Sequence, residues 1–145
     1  MKIDKILFPT DFSEAAEKAF ESALFLAESH NAELILLQGV DQLHGVTHYE
    51  ILALTPMDIV EKLVKHAHKD LQAMVDQAEE RATATETVRE GKTWAVICET
   101  AEQENADVIV MASQGRTGLS HALIGSVAEK VVRHAGCPVM VIRNQ

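Results

Sequence analysis

An open parallel α/β sheet with helices on both faces is the fold class this sequence predicts, and three observations predict it. Short apolar runs at Ile6 to Phe8, Glu33 to Leu37, Asp107 to Met111 and Val139 to Ile142 do not alternate with polar residues, as expected of strands covered on both sides. Segments with helical spacing separate these runs, and strands that take turns with helices form parallel crossovers rather than hairpins. A glycine-bearing stretch then joins one apolar run to the helix after it, at the end of the sheet where ligands bind in such folds.

Taken in order, Ile6 to Phe8 is the first strand, ended by Pro9. Asp11-Phe12-Ser13-Glu14 starts a helix, with Asp11 or Ser13 as N-cap and acidic residues in the first turn. Ala16, Ala19, Phe20, Ala23, Leu24 and Ala27 share the face that packs on the sheet. Glu33 to Leu37 is the second strand, and Gln38-Gly39-Val40-Asp41 leads out of it. Asp41 to Met57 keeps no periodicity and is expected to be a flexible flap, with His44, His48 and Tyr49 in solvent.

Thr55-Pro56 opens a long helix whose apolar stripe runs through Val60, Leu63, Val64, Ala67, Leu71, Met74, Val75, Ala78 and Ala82. His66 and His68 are two apart, point to different faces, and do not make a helical metal pair. Thr83 to Arg89 alternates only weakly, as a polar edge strand does, and Gly91 breaks it. Thr93 caps a helix through Ala101 that Asn105 ends in a left-handed conformation, with Trp94 packing beside Ile97 and Ala101. Asp107 to Met111 is the fourth strand. A helix from Val127 to Ala135 follows, stopped by Gly136 and Pro138, and Val139 to Ile142 is the fifth strand.

With 145 residues, 47% of them hydrophobic, the chain is expected to be a single domain over 1–145. A formal charge of −9 argues against nucleic-acid and anionic-membrane binding. Cys98 and Cys137 have no disulfide or zinc spacing, no signal peptide is visible, and no apolar run would cross a bilayer; a cytoplasmic protein is expected.

The ligand candidate is the stretch from Met111 to Ser126. Gly115, Gly118 and Gly125 let backbone approach a phosphate, and helix N-terminal amides supply hydrogen bonds and the positive end of the dipole. From Ser113 onward the charges are Arg116, Lys130, Arg133 and Arg143 against Glu129 alone, so the basic part of an acidic chain coincides with this loop. Neither GxxxxGK[ST] nor a GxGxxG after the first strand is present. Ser126-Val127-Ala128-Glu129 also reads as a capping box, which would give Ser126 a structural role as N-cap. Setting the ends of the first and fourth strands side by side gives the strand order 3-2-1-4-5.

This stretch, together with Ile6-Leu7-Phe8-Pro9-Thr10-Asp11-Phe12-Ser13, resembles the universal stress protein family over essentially the whole chain. The resemblance implies the adenine nucleotide alpha hydrolase-like, Rossmann-like sheet in that same order. It also implies ATP held by a glycine, two residues, a second glycine, nine residues, then glycine and serine or threonine, matched here by Ala112, Gly115, Gly125 and Ser126. Ala112 stands where the first glycine would, and its methyl is expected to weaken the site without closing it.

By the same resemblance the adenine and ribose lie on Asp11 and on Gln38-Gly39-Val40, and the full set is Pro9, Thr10, Asp11, Gly39, Val40, Met111, Ala112, Gly115, Arg116, Gly125, Ser126 and Val127. Gly39 stands where the family carries a larger apolar residue. Magnesium or manganese would be held mainly by the phosphates.

Near the phosphates the sequence offers no carboxylate except Asp11 and Glu129, so a nucleotide-dependent stress-response or regulatory module is expected, with at most slow ATP hydrolysis. The alternatives are a slow ATPase and a dimeric interaction protein of the same family that binds no nucleotide. Val139 to Ile142, an apolar strand at the sheet edge, is expected to pair with its copy in a homodimer.

Overall fold

The computed structural model describes residues 1–41, 56–115 and 123–143. Five strands, β1 (Lys5–Pro9), β2 (Glu33–Val40), β3 (Ala84–Glu90), β4 (Val108–Ala112) and β5 (Val139–Ile142), form one sheet in the order β3-β2-β1-β4-β5. Every pairing is parallel. The described helices are α1 (Glu14–His30), α2 (Pro56–Ala78), α3 (Thr93–Gln103) and α4 (Ser126–His134).

Strand alternation divides the core in two. Ile6, Phe8, Leu34, Leu36, Val108 and Val110 face a cluster completed by Phe20 and Leu24 of α1 and Leu71 and Val75 of α2. Leu7, Ile35, Leu37, Ile109 and Met111 face the other way, onto Val96 and Ile97 of α3 and Ala128 and Val131 of α4. Both sheet faces are therefore apolar, which is why the strands read as continuous runs. Phe8 and Leu24 are fully buried, each contributing roughly 2 kcal/mol or more by leaving water.

The α1 stripe is buried at all six positions its spacing requires. Its N-cap is Ser13, whose hydroxyl accepts from the Ala16 amide at 3.2 Å. The α2 stripe holds at Ala67, Leu71, Val75 and Ala78, whereas near its start Ile59 is buried and Val60 only partly so. The flap expected over 41–57 lies mostly outside the described residues, with His44, His48, Tyr49 and Thr55; the helix is already under way at Met57.

Several local expectations are corrected. β2 runs on to Val40, because its last residues pair with β3 from Gln38↔Val88 to Val40↔Glu90. Thr93 is the first helical residue of α3; Lys92 occupies the cap with no side-chain bond, and the helix continues to Gln103. Asn105 is left-handed as expected, at φ 54°. Gly136 does not stop α4, which ends when Ala135 turns extended at ψ 140°.

At the amino end of the sheet Asp107 ties β1 to β4. Its Oδ2 accepts from the amides of Asp4 at 2.8 Å and Lys5 at 2.9 Å. These backbone bonds, first from Asp4 and then from Lys5, hold its carboxyl below the ordinary 3.8. A group depressed in the folded state stabilises the fold above its unfolded pKa, and that contribution is lost as pH falls through the folded value. Asp107→Asn is thus expected to lower the denaturation midpoint at neutral pH, and the gap from wild type should close as pH drops below 3.8. Denaturant titrations at a series of pH values check this.

Candidate functional site

The carboxyl ends of β1 and β4 come together at the point where winding reverses, since β1 has β2 on one side and β4 on the other. Beyond β1 the backbone is fixed by its own side chains. The Phe12 amide donates to Thr10 Oγ1 and the Ser13 amide to Asp11 Oδ1, each at 3.0 Å, and Phe12 sits at φ 57°. Such turns are a local habit of threonine and aspartate ahead of a helix. Thr10 is anchored to β2 by its amide, which donates to the Leu37 carbonyl at 2.8 Å.

Beyond β4 the chain is pinned at a neck. The Gly125 amide donates to the Ser113 carbonyl at 2.7 Å, and Gln114 Nε2 to the Leu123 carbonyl at 3.1 Å. A Cβ on Gly125 would stand 3.1 Å from the Ser113 oxygen and 3.4 Å from the Gln114 Cα, so only glycine closes the neck without displacement. The Ser113 amide in turn donates to Ile142 of β5 at 2.8 Å.

The two ends touch. A Cβ built on Gly115 would lie 2.7 Å from Asp11 Oδ2, inside contact distance. Backbone from the glycine stretch and the carboxylate after β1 therefore form one continuous surface, a juxtaposition that residue spacing alone does not reveal. Arg116, Thr117 and Gly118 lie outside the described residues.

α4 starts at this surface with Gly125 as N-cap and Ser126 as its first residue. The expected capping box does not form: Glu129 is drawn instead to Arg133, one turn on, at 2.6 Å. Ser126 is exposed, and Glu129 makes the first helical bond, back to the Gly125 carbonyl at 2.9 Å. The amides of Ser126, Val127 and Ala128 consequently have no partner within the helix.

Ala112 is 9% exposed, and its methyl packs with the α1 and α2 cluster, while Met111 belongs to the opposite one. Pro9 is buried at the end of β1, paired in register with Leu37, and Val40 is buried where its carbonyl accepts from the Gly91 amide at 3.0 Å. Gly39 faces Thr93: a Cβ there would stand 3.4 Å from both Cα and Cγ2 of that residue.

The described residues contain no group of three histidine, cysteine or acidic side chains placed to hold a metal. Cys98 and Cys137 are half-buried and free, their thiols pushed up first by burial, as befits inert packing groups. Trp94 packs into the second cluster with its ring 4.9 Å from that of His134.

Comparison with known proteins matches residues 2–143 to the model of the universal stress protein family. The chain belongs to that family. A universal stress protein of Methanocaldococcus jannaschii, MJ0531, is 35% identical over 142 residues, covering 97% of this chain and 82% of the relative. Among solved structures, protein MJ0577 superposes with a TM-score of 0.87 at 29% identity, over 100% of this chain and 99% of that one. Universal stress protein UspA from Lactobacillus plantarum gives 0.84 at 26%, over 99% of each. Both solved structures superpose along nearly the whole of the five-stranded fold. No helix among the described residues is long and apolar enough to cross a membrane.

Proposed function

We propose that this universal stress protein binds ATP across the ends of β1 and β4 and serves as a nucleotide-dependent stress-response or regulatory module. The observation that carries the reading is the contact between Asp11 and Gly115, which joins a carboxylate suited to a ribose hydroxyl to a bare backbone suited to phosphate. In this reading the phosphates lie on Gly115, Arg116, Gly125 and Ser126, where the amides of α4 that have no partner within the helix and the exposed Ser126 hydroxyl supply donors. The adenine lies toward Gly39 and Val40, between Pro9 and Met111, and magnesium or manganese rides on the phosphates.

Support also comes from two universal stress proteins of this fold solved with cAMP and with dAMP, at 20% and 22% identity. Hydrolysis is slow in this reading. In this reading Asp11, whose Oδ1 accepts the Ser13 amide, is taken by the ribose, and Glu129 is paired with Arg133, so neither carboxylate is placed to orient a water. The same proposal includes a homodimer formed by β5.

Protein purified without added nucleotide and then denatured is expected to release an adenine nucleotide, or else to bind added ATP in calorimetry. One Trp and one Tyr give a low intrinsic absorbance against which adenine stands out. Absence of both release and binding would sink the reading. The sequence leads one to expect that the Ala112 methyl weakens the site; its place in the core cluster argues the other way, so Ala112→Gly should leave ATP affinity within about twofold while costing up to ~1 kcal/mol of stability. Calorimetry and denaturant melts on the same variant separate the two effects. A large gain in affinity would instead mean that the methyl crowds the phosphates.

A further inference from the structure

On the α1 and α2 face, away from Met111 and α4, a cavity of about 250 Å³ opens between the two helices. Its apolar wall is Phe12, Phe20 and Met74, and its exposed rim carries Glu17, Glu21 and Gln77. Phe12 reaches it from a left-handed backbone at φ 57°, a conformation costly for a bulky side chain and retained here by the two side-chain bonds of the turn. The Glu21 carboxylate is engaged by Arg81 at 3.1 Å. Glu17 has no ion-pair partner among the described residues, so its charge is open to a ligand.

A buried acceptor outside the cavity lining lies on the same sheet face. Gln38 is opposite Val88, which packs into the α1 and α2 cluster, and it follows Leu37, whose carbonyl holds the amide of cavity-lining Thr10. Its Oε1 is buried and has no hydrogen-bond partner among the described residues. Buried acceptors are rarely left so, because an unmade bond costs the desolvation of the group.

We propose that this cavity binds a small organic cation, a primary ammonium carried on a short aromatic body. The aromatic part fits against Phe12, Phe20 and Met74, where ring faces and a thioether favour an arene and an adjacent cation. The ammonium is held by the Glu17 carboxylate, and the formal charge of −9 raises the local concentration of cations. A space of this volume takes a ligand of fragment size, smaller than ordinary cofactor pockets.

The test titrates the full chain with phenethylammonium chloride and, separately, with its neutral analogue 2-phenylethanol, following the methionine methyl signals by NMR. Saturable movement of the Met74 methyl is expected with the ammonium, at a dissociation constant on the order of 1 mM. The alcohol should bind about tenfold more weakly. Glu17→Gln should abolish that preference while leaving ATP affinity unchanged, which separates this site from the nucleotide site. Equal binding of ammonium and alcohol, an unmoved Met74 signal, or a Glu17→Gln variant that retains the preference would each overturn the proposal.

Discussion

Gly115→Glu is expected to abolish ATP binding while leaving the sheet folded. The first added atom would already stand 2.7 Å from Asp11 Oδ2, so the loop or the carboxylate must move. The rest of the side chain brings a second negative charge beside Asp11, onto the surface proposed for the phosphates. Crowding and like charge act together, and a loss of at least about a hundredfold, roughly 2.7 kcal/mol, is the expected result in calorimetry. Gly115 is exposed, so the thermal midpoint should hardly change. An unaltered affinity would mean that nucleotide binds elsewhere.

Val141→Lys is expected to convert a dimer into a monomer. β5 has β4 on one side, paired from Ile109↔Val139 to Ala112↔Ile142, and forms the edge of the sheet on the other. An edge of four apolar residues leaves backbone amides and carbonyls ready to accept another strand, and Met140 is 42% exposed along it. Pairing with a second copy about a two-fold axis would close that edge. A lysine in each copy would then face its like across the interface, where repulsion and the loss of apolar contact act in the same direction. Light scattering reads the outcome: wild-type protein already at the 15.9 kDa chain mass at micromolar concentration would remove the dimer from the account.

The sheet was legible in the sequence because its residues answer to one dominant demand, burial on two faces. Ile6 to Phe8, Val108 to Val110 and the α1 stripe have no other role to reconcile, and alternation between the two clusters follows from strand geometry alone. Strand order was legible through chemistry, since only two strand ends carried residues unlike core. What misled were signals shared by competing structures. Ser126 and Glu129 have capping-box spacing, but Arg133 one turn on offers Glu129 a charged partner, and the glycine before Ser126 takes the cap. Gly136 follows the last helical turn, yet Ala135 already turns extended, so the glycine is left with no conformational task.

Other site features were illegible because they depend on meetings across the fold. Asp11 and Gly115 are far apart in sequence, and nothing in either neighbourhood announces that one must be bare for the other to fit. The Gln114 side chain bridging to Leu123 is likewise a product of the closed neck. The left-handed Phe12 is different: Thr10 and Asp11 ahead of a helix are a readable sign of a tight turn, but phenylalanine seldom adopts that conformation, so its handedness does not follow from the residues.

The close approach of Gly39 and Thr93 bears on how these two positions change over evolutionary time. With Thr93 in place, a Cβ added at 39 meets backbone as well as a methyl at 3.4 Å, which is ordinary contact, so the first added carbon is accommodated and any larger side chain there must share its space with Thr93. Trimming Thr93 to a smaller residue first would make room. Substitutions at the two positions are therefore expected to be non-additive, as those of neighbours that share a volume are. The surface beside Gly39 should drift as a coupled pair, its shape inherited from the history of both residues together.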